Sequence, residues 1–135
     1  MTAEAVVADT DVVSHLMRGT LADALAARLR ERTLLVTFIT VGELFRGATH
    51  ARWGQRRTAA LADWVSRVPV MQGSEDVARR WGRLTGAALR SGRPLPANDA
   101  WVAACCLAKG LPLATLNLRH YGHIADLELV VGGEA

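Results

Sequence analysis

Two carboxylates interrupt an apolar run near the start of the chain: in VVADTDVV, Val6 to Val13, Asp9 and Asp11 stand among valines. An ionised carboxylate drawn into a core is unfavourable unless something neutralises it, and the residues flanking Asp9 offer no cation. Polar groups recur at the ends of other elements: Glu43 in TVGELF, Asp99 in NDAWVAACC, and Thr115 with Asn117 after LPLA. Asp99, Val102, Ala103 and Cys106 share one helical face, so Asp99 continues an apolar stripe and is expected to point at the sheet edge. Carboxylates converging from separate elements repel one another and raise their pKa values unless a cation sits among them. Magnesium and manganese, which prefer oxygen ligands, would supply it. Singly, each residue has a structural alternative. Glu43 fits a capping box with Thr40, Asp99 complements a helix dipole, and Asp11 fits the N-cap of a short helix beginning VVSHLM. Asp9 has no such local role, and it is the sharpest of the signals.

The elements that would position these groups alternate along the chain. AVVAD reads as a short buried strand ending at Asp9, LLVTF (Leu34–Phe38) as a second, and Val68–Met71 as a short extended piece. LPLAT and LELVV give two more. Between them, Thr20–Arg32 carries Leu21, Leu25 and Leu29 at helical spacing, and Thr40–Ala51 carries Val41, Leu44, Phe45 and Ala48 on one stripe. RRTAALADWVSRV is a further helix. Ser74–Gly92 is a helix capped by Ser74 with Glu75 and Asp76 at its positive end, and Asn98–Gly110 is a helix closed by Gly110. Short apolar strands that do not alternate, separated by helices, are the pattern of a short parallel sheet flanked by helices on both faces. In such α/β sheets the functional crevice lies beyond the carboxyl ends of the strands, where Asp9 stands.

Composition sets the outer bounds. The 135 residues suit one domain, and with 50% hydrophobic and 21% charged residues the chain can bury its own core. The two cysteines, Cys105 and Cys106, are adjacent, so neither a disulfide nor a zinc site is expected, and free thiols suit a reducing compartment. No apolar run reaches the roughly 20 residues of a membrane span. The N-terminus opens with an acid, not a basic stretch, which predicts a cytoplasmic protein without a cleaved signal. The net charge is +3, and of the basic residues only Lys109 is not arginine, a guanidinium-rich surface that suits phosphate.

Taken in order, VVADTDVV, TVGELFRGA and LPANDAWVAACCLAKGLPLATLNLRHY resemble the opening strand, the Glu-Leu-x-x-Gly helix and the Asn-Asp helix with its following strand in PIN-domain proteins. The chain specifically resembles the ribonuclease toxins of bacterial VapBC-type toxin–antitoxin pairs. The resemblance spans nearly the whole chain and implies one PIN domain over 1–135. It also implies an endoribonuclease dependent on Mg2+ or Mn2+, with Asp9, Glu43 and Asp99 as the acidic triad. Many members carry a fourth acid where this chain has Asn117, which can ligate only through its carbonyl oxygen. Thr10, Asp11 and Thr115 are expected to orient the ligands.

The resemblance further implies an RNA substrate, a small antitoxin whose tail puts a basic side chain into the acidic pocket, and a homodimer. For RNA, Arg46, Arg52, Arg56, Arg57 and His120 are the candidate contacts, with Arg79, Arg83 and Arg90 as a second stripe. Trp53 and Trp101 are assigned to packing in preference to base stacking, Trp64 and Trp81 to the core, and Tyr121 to packing. Leu16, Met17 and Phe45 suit either a core or an antitoxin groove. Two alternatives remain open. A PIN-fold module could bind RNA or a partner without cutting. The Asp-x-Asp-x-Val pattern of haloacid-dehalogenase-like phosphatases also fits DTDVV, but no acidic pair follows Lys109 in the order that class needs.

Overall fold

The computed structural model describes residues 4–132, so the extreme ends of the domain expected over 1–135 lie outside the described residues. Its strands are β1 (Ala5–Ala8), β2 (Thr33–Thr37), β3 (Val70–Met71), β4 (Leu113–Ala114) and β5 (Leu129–Val130). They form a five-stranded sheet in the order β3-β2-β1-β4-β5, with every pairing parallel. β1 is central: Val7 lies opposite Leu35 on one side and Leu113 on the other. From β1 the chain moves outward to β2 and β3, then crosses back to build β4 and β5 on the far side. The strand order therefore reverses at β1, and the crevice beyond its carboxyl end is where sheets of this kind hold ligands. The next residue is Asp9.

Because side chains alternate across a strand, the sheet feeds two separate cores. Val6, Ala8, Val36, Ala114 and Val130 pack with helices α1 (Thr10–Arg18), α2 (Asp23–Leu29), α3 (Phe38–His50) and α4 (Gln55–Arg67), through residues such as Val13, Leu25, Leu44 and Leu61. Val7 and Leu113 face the other way. They meet α5 (Glu75–Arg90), α6 (Ala97–Lys109) and α7 (Leu118–Tyr121) through Val77, Val102, Cys106 and Tyr121. Trp81 and Trp101 stack with ring centroids 4.6 Å apart and pin α5 to α6. Cys105 and Cys106 are free and buried. Among the described residues no helix is long and apolar enough to cross a membrane.

Three local expectations are corrected. The N-cap of α1 is Asp9, not Asp11, because β1 passes directly into the helix and its last extended residue makes the cap. Likewise β2 passes into α3 with no loop, so Thr37 caps the helix, accepting from the Thr40 N–H at 3.2 Å. Thr40 is therefore not a cap, and Glu43 lies beyond the first turn instead of closing a capping box. The helix expected over Thr20–Arg32 shortens to Asp23–Leu29. Gly19 takes φ 69 to end α1, and Thr33 must turn into the sheet opposite Ala5. Ser74 caps α5 as expected, accepting from the Val77 N–H at 3.1 Å.

Candidate active site

Asp9, Thr10, Asp11, Ser14, His15, Arg18, Glu43, Asp99 and Asn117 line one pocket of about 410 Å³ at the carboxyl edge of the sheet. Three parts of the chain supply the expected triad: Asp9 closes β1, Glu43 projects from the second turn of α3, and Asp99 from the first turn of α6. Asp11, Asn117 and Thr10 join them. Thr115 stands just beneath, fully buried.

A different partner holds each carboxylate. Asp9 is only 4% exposed; it accepts from the Thr10 N–H at 2.9 Å and from the Thr115 hydroxyl at 3.0 Å. Burial, then the charge of Asp11, pushes its carboxyl up to about 6, against the lowering effect of its hydrogen bonds to Thr115 and Thr10. Asp11 is also raised, chiefly by burial. Glu43 accepts from the Thr10 hydroxyl at 2.7 Å. The Thr10 and Thr40 oxygens lie 2.9 Å apart. Thr10 has one proton and spends it on the carboxylate, so Thr40 must be the donor between the two hydroxyls. Asn98 adds a longer contact to the other Glu43 oxygen at 3.4 Å. Asp99 accepts from the Tyr121 phenol at 3.1 Å, and its second oxygen lies 2.5 Å from Nδ1 of His120. Burial and the nearby charges of Asp9 and Asp99 push the phenol well above its ordinary range, so it remains a protonated donor. Asn117 donates its amide to Asp11 at 3.1 Å, leaving the carbonyl oxygen as its ligand atom.

The donor set suits a hard divalent cation: four carboxylates and an amide oxygen face one pocket, and Arg18 is the sole guanidinium in its lining. The fit is one of charge and donor type. Among the described residues no three acidic, histidine or cysteine side chains already close on a single point. A bound ion would draw in carboxylates that here are engaged with hydroxyls, a phenol and an imidazole. Lys109, which a phosphatase of the Asp-x-Asp type would need in the site, instead ends α6 on the exposed surface.

Several residues at the site carried no local signal. Tyr121, assigned to packing, is completely buried and also holds Asp99. Asn98, Ser14, His15 and Arg18 had no assigned role, and Thr40 was read only as a helix cap; only helical spacing from Asp11 could have put Ser14, His15 and Arg18 on the pocket side of α1. The candidate RNA contacts are split. His120 borders Asp99, whereas Arg46 and Arg57 line grooves on the α3 and α4 side, with the Arg57 guanidinium 3.8 Å over the Trp53 ring. Arg52 and Arg56 are exposed. Trp53 and Trp64 are half-buried in the α3–α4 groove, packed against the α1–α4 core.

The PIN-domain family model matches residues 6–126. Ribonuclease VapC1 of Haemophilus influenzae strain R2866 is 28% identical over 123 residues, covering 89% of this chain and 92% of that protein. The tRNA(fMet)-specific endonuclease VapC of Shigella flexneri is 26% identical over 99 residues, covering 73% and 75%. Among solved structures, VapBC-1 from nontypeable Haemophilus influenzae superposes with a TM-score of 0.85 at 25% identity, covering 96% of this chain and 99% of its own.

Proposed function

The chain belongs to the PIN-domain family, and on that premise we propose that it is a metal-dependent endoribonuclease, the toxin of a type II toxin–antitoxin pair. One observation carries the reading: Asp9, Glu43 and Asp99, drawn from three separate elements, line a single pocket at the point where the strand order reverses. Nothing in the folding of α/β layers requires carboxylates there. The raised carboxyl of Asp9, due chiefly to its burial, then to the charge of Asp11 and least to that of Asp99, is a cost that a cation removes.

In this reading Asp9, Glu43 and Asp99 hold Mg2+ or Mn2+, with Asn117 contributing a carbonyl oxygen. The ion supplies Lewis acidity toward the phosphoryl group and lowers the pKa of an attacking water. The protein's own groups set the geometry. Thr115 and the Thr10 amide fix Asp9, the Thr40–Thr10 hydroxyl pair orients Glu43, and Tyr121 with His120 orients Asp99. Arg18, on the α1 wall of the pocket, can meet an oxygen of the scissile phosphate. The substrate is RNA and the protein works in the cytoplasm. A small antitoxin silences it by laying an apolar segment in the α3–α4 groove beside Trp53 and Trp64 and a basic side chain in the acidic pocket, which that groove adjoins through Thr10, Ser14, Arg18 and Glu43. The working form is a homodimer of single domains spanning 1–135.

The test is cleavage of total RNA by the purified protein. Magnesium or manganese should support it, chelator should stop it, and Asp99→Asn should abolish it while leaving the circular dichroism spectrum intact. Retained metal-dependent cleavage in that variant would remove Asp99 from the site. A module that binds RNA without cutting has one observation in its favour, the absence of a ready-made cluster among the described residues. It predicts no metal-dependent cleavage and no metal-induced rise in Tm.

A further inference from the structure

Adjoining Asp99 through His120 lies another cleft, about 800 Å³, between the end of α5, the loop 91–96 and α7. We infer that it binds the backbone of single-stranded RNA flanking the scissile bond, as a cationic track into the acidic pocket; this rests on the nuclease reading above. Arg93, Arg119 and His123 line it, all exposed, and its lining contains no carboxylate. Neither arginine has an acidic partner among the described residues, in contrast to Arg67, Arg79 and Arg80, which are neutralised within their own helices. The inner wall is His120, whose ring contacts Asp99. A strand crossing the acidic pocket past Asp99 therefore meets His120 and then the two arginines.

Electrostatics requires such a track. The acidic pocket repels a polyanion until its cation is bound, and even then attracts only the phosphate nearest the ion. Affinity for the rest of the strand must come from guanidinium groups placed outside the acid cluster. The groove on the α3–α4 side cannot serve equally, since Glu43 and Asp63 share its lining with Arg18, Arg57 and Arg67. The floor of the cleft is apolar, from Leu84, Leu95 and Ile124, with no phenylalanine, tyrosine or tryptophan in its lining. Its contacts are thus with phosphate and sugar, which position a strand without reading its sequence.

Binding of a fluorescent, uridine-rich single-stranded RNA by the full-length protein, in chelator so that no cleavage occurs, tests the assignment. The double variant Arg93→Gln/Arg119→Gln should weaken binding and flatten the plot of log K against log salt by roughly 1.4, two contacts at about 0.7 each. With metal restored it should raise KM and leave kcat near wild type. Arg28→Gln/Arg30→Gln removes the same charge from exposed sites outside the cleft and should keep the wild-type slope. An unchanged slope and KM in the first variant, or an equal flattening in the second, overturns the track. The two readings fail separately. Wild-type protein that binds RNA with the expected arginine dependence but never cleaves it sinks the nuclease and spares the cleft. Cleavage with no arginine dependence does the reverse.

Discussion

The two flanks of the acidic pocket are built from different materials. On the Glu43 side the groove between α1, α3 and α4 is apolar and mixed in charge, with Met17, Leu61, Trp53 and Trp64 beside Arg57, Arg67 and Asp63. On the Asp99 side the cleft is cationic and has no phenylalanine, tyrosine or tryptophan in its lining. Large half-buried aromatics over an apolar floor suit a protein segment, because tryptophan anchors give affinity by leaving water. Exposed arginines without acidic partners suit a polyanion. The acids themselves are held differently too. Glu43 depends on a pair of threonine hydroxyls, whereas Asp99 depends on a buried phenol and an exposed imidazole. One pocket can thus be approached by two unlike macromolecules over two different surfaces, one adjoining Glu43 and the other Asp99, and competition between them would be settled at the pocket.

Breaking the pocket should abolish the difference between the flanks. Asp9→Asn is expected to reduce cleavage to background, yet to stabilise the metal-free protein. The folded carboxyl is raised from 3.8 to about 6, so wild type carries the cost of ionised Asp9 fully above pH 6 and sheds it toward pH 4. The gain in the variant should accordingly be largest at neutral pH, on the order of 2–3 kcal/mol, and vanish in acid. Urea melts in chelator across that range will show whether the sign is right; a variant less stable at pH 7.5 would mean that the hydrogen bond from Thr115 outweighs the burial.

Two substitutions sharpen the contrast instead. Tyr121→Phe removes one hydroxyl from the Asp99 side, and by the usual weight of a ligand's supporting partner it should raise the manganese needed for half-maximal activity about 10–100-fold. RNA binding in chelator should not move. If the metal titration is also unmoved, Tyr121 only fills space. Trp64→Ala, in the opposite groove, should cost about 2 kcal/mol in affinity for the cognate antitoxin, read by calorimetry, with KM for RNA within about twofold of wild type. An antitoxin indifferent to Trp64 must dock elsewhere. Arg93→Gln/Arg119→Gln should leave antitoxin affinity unchanged, the converse of the tryptophan variant.

How far the sequence reached can be judged residue by residue. Asp9 was legible because a carboxylate at the end of a valine strand has no innocent local reading, and the parallel sheet followed from unalternating apolar strands between helices. Glu43 and Asp99 were found by type and by resemblance, yet the local reading of Glu43 as a capping residue failed. Whether a helix starts at residue 38 or 40 is settled by how the preceding strand runs out of the sheet. Tyr121 looked like packing because nothing near it in sequence needs a donor; its partner is 22 positions away. The cationic cleft escaped notice for the same reason: Arg93 follows α5 and Arg119 opens α7, and no periodicity relates them.

What the sequence determined by itself was the set of elements and the chemical type of the site: hydrophobic period and carboxylate identity are properties of neighbouring residues. Which groups meet was decided only by the tertiary structure. The strand order around β1 brings together ends that are remote along the chain, and hydrogen bonds, burial and repulsion act through distances of a few ångströms, not through positions in a string.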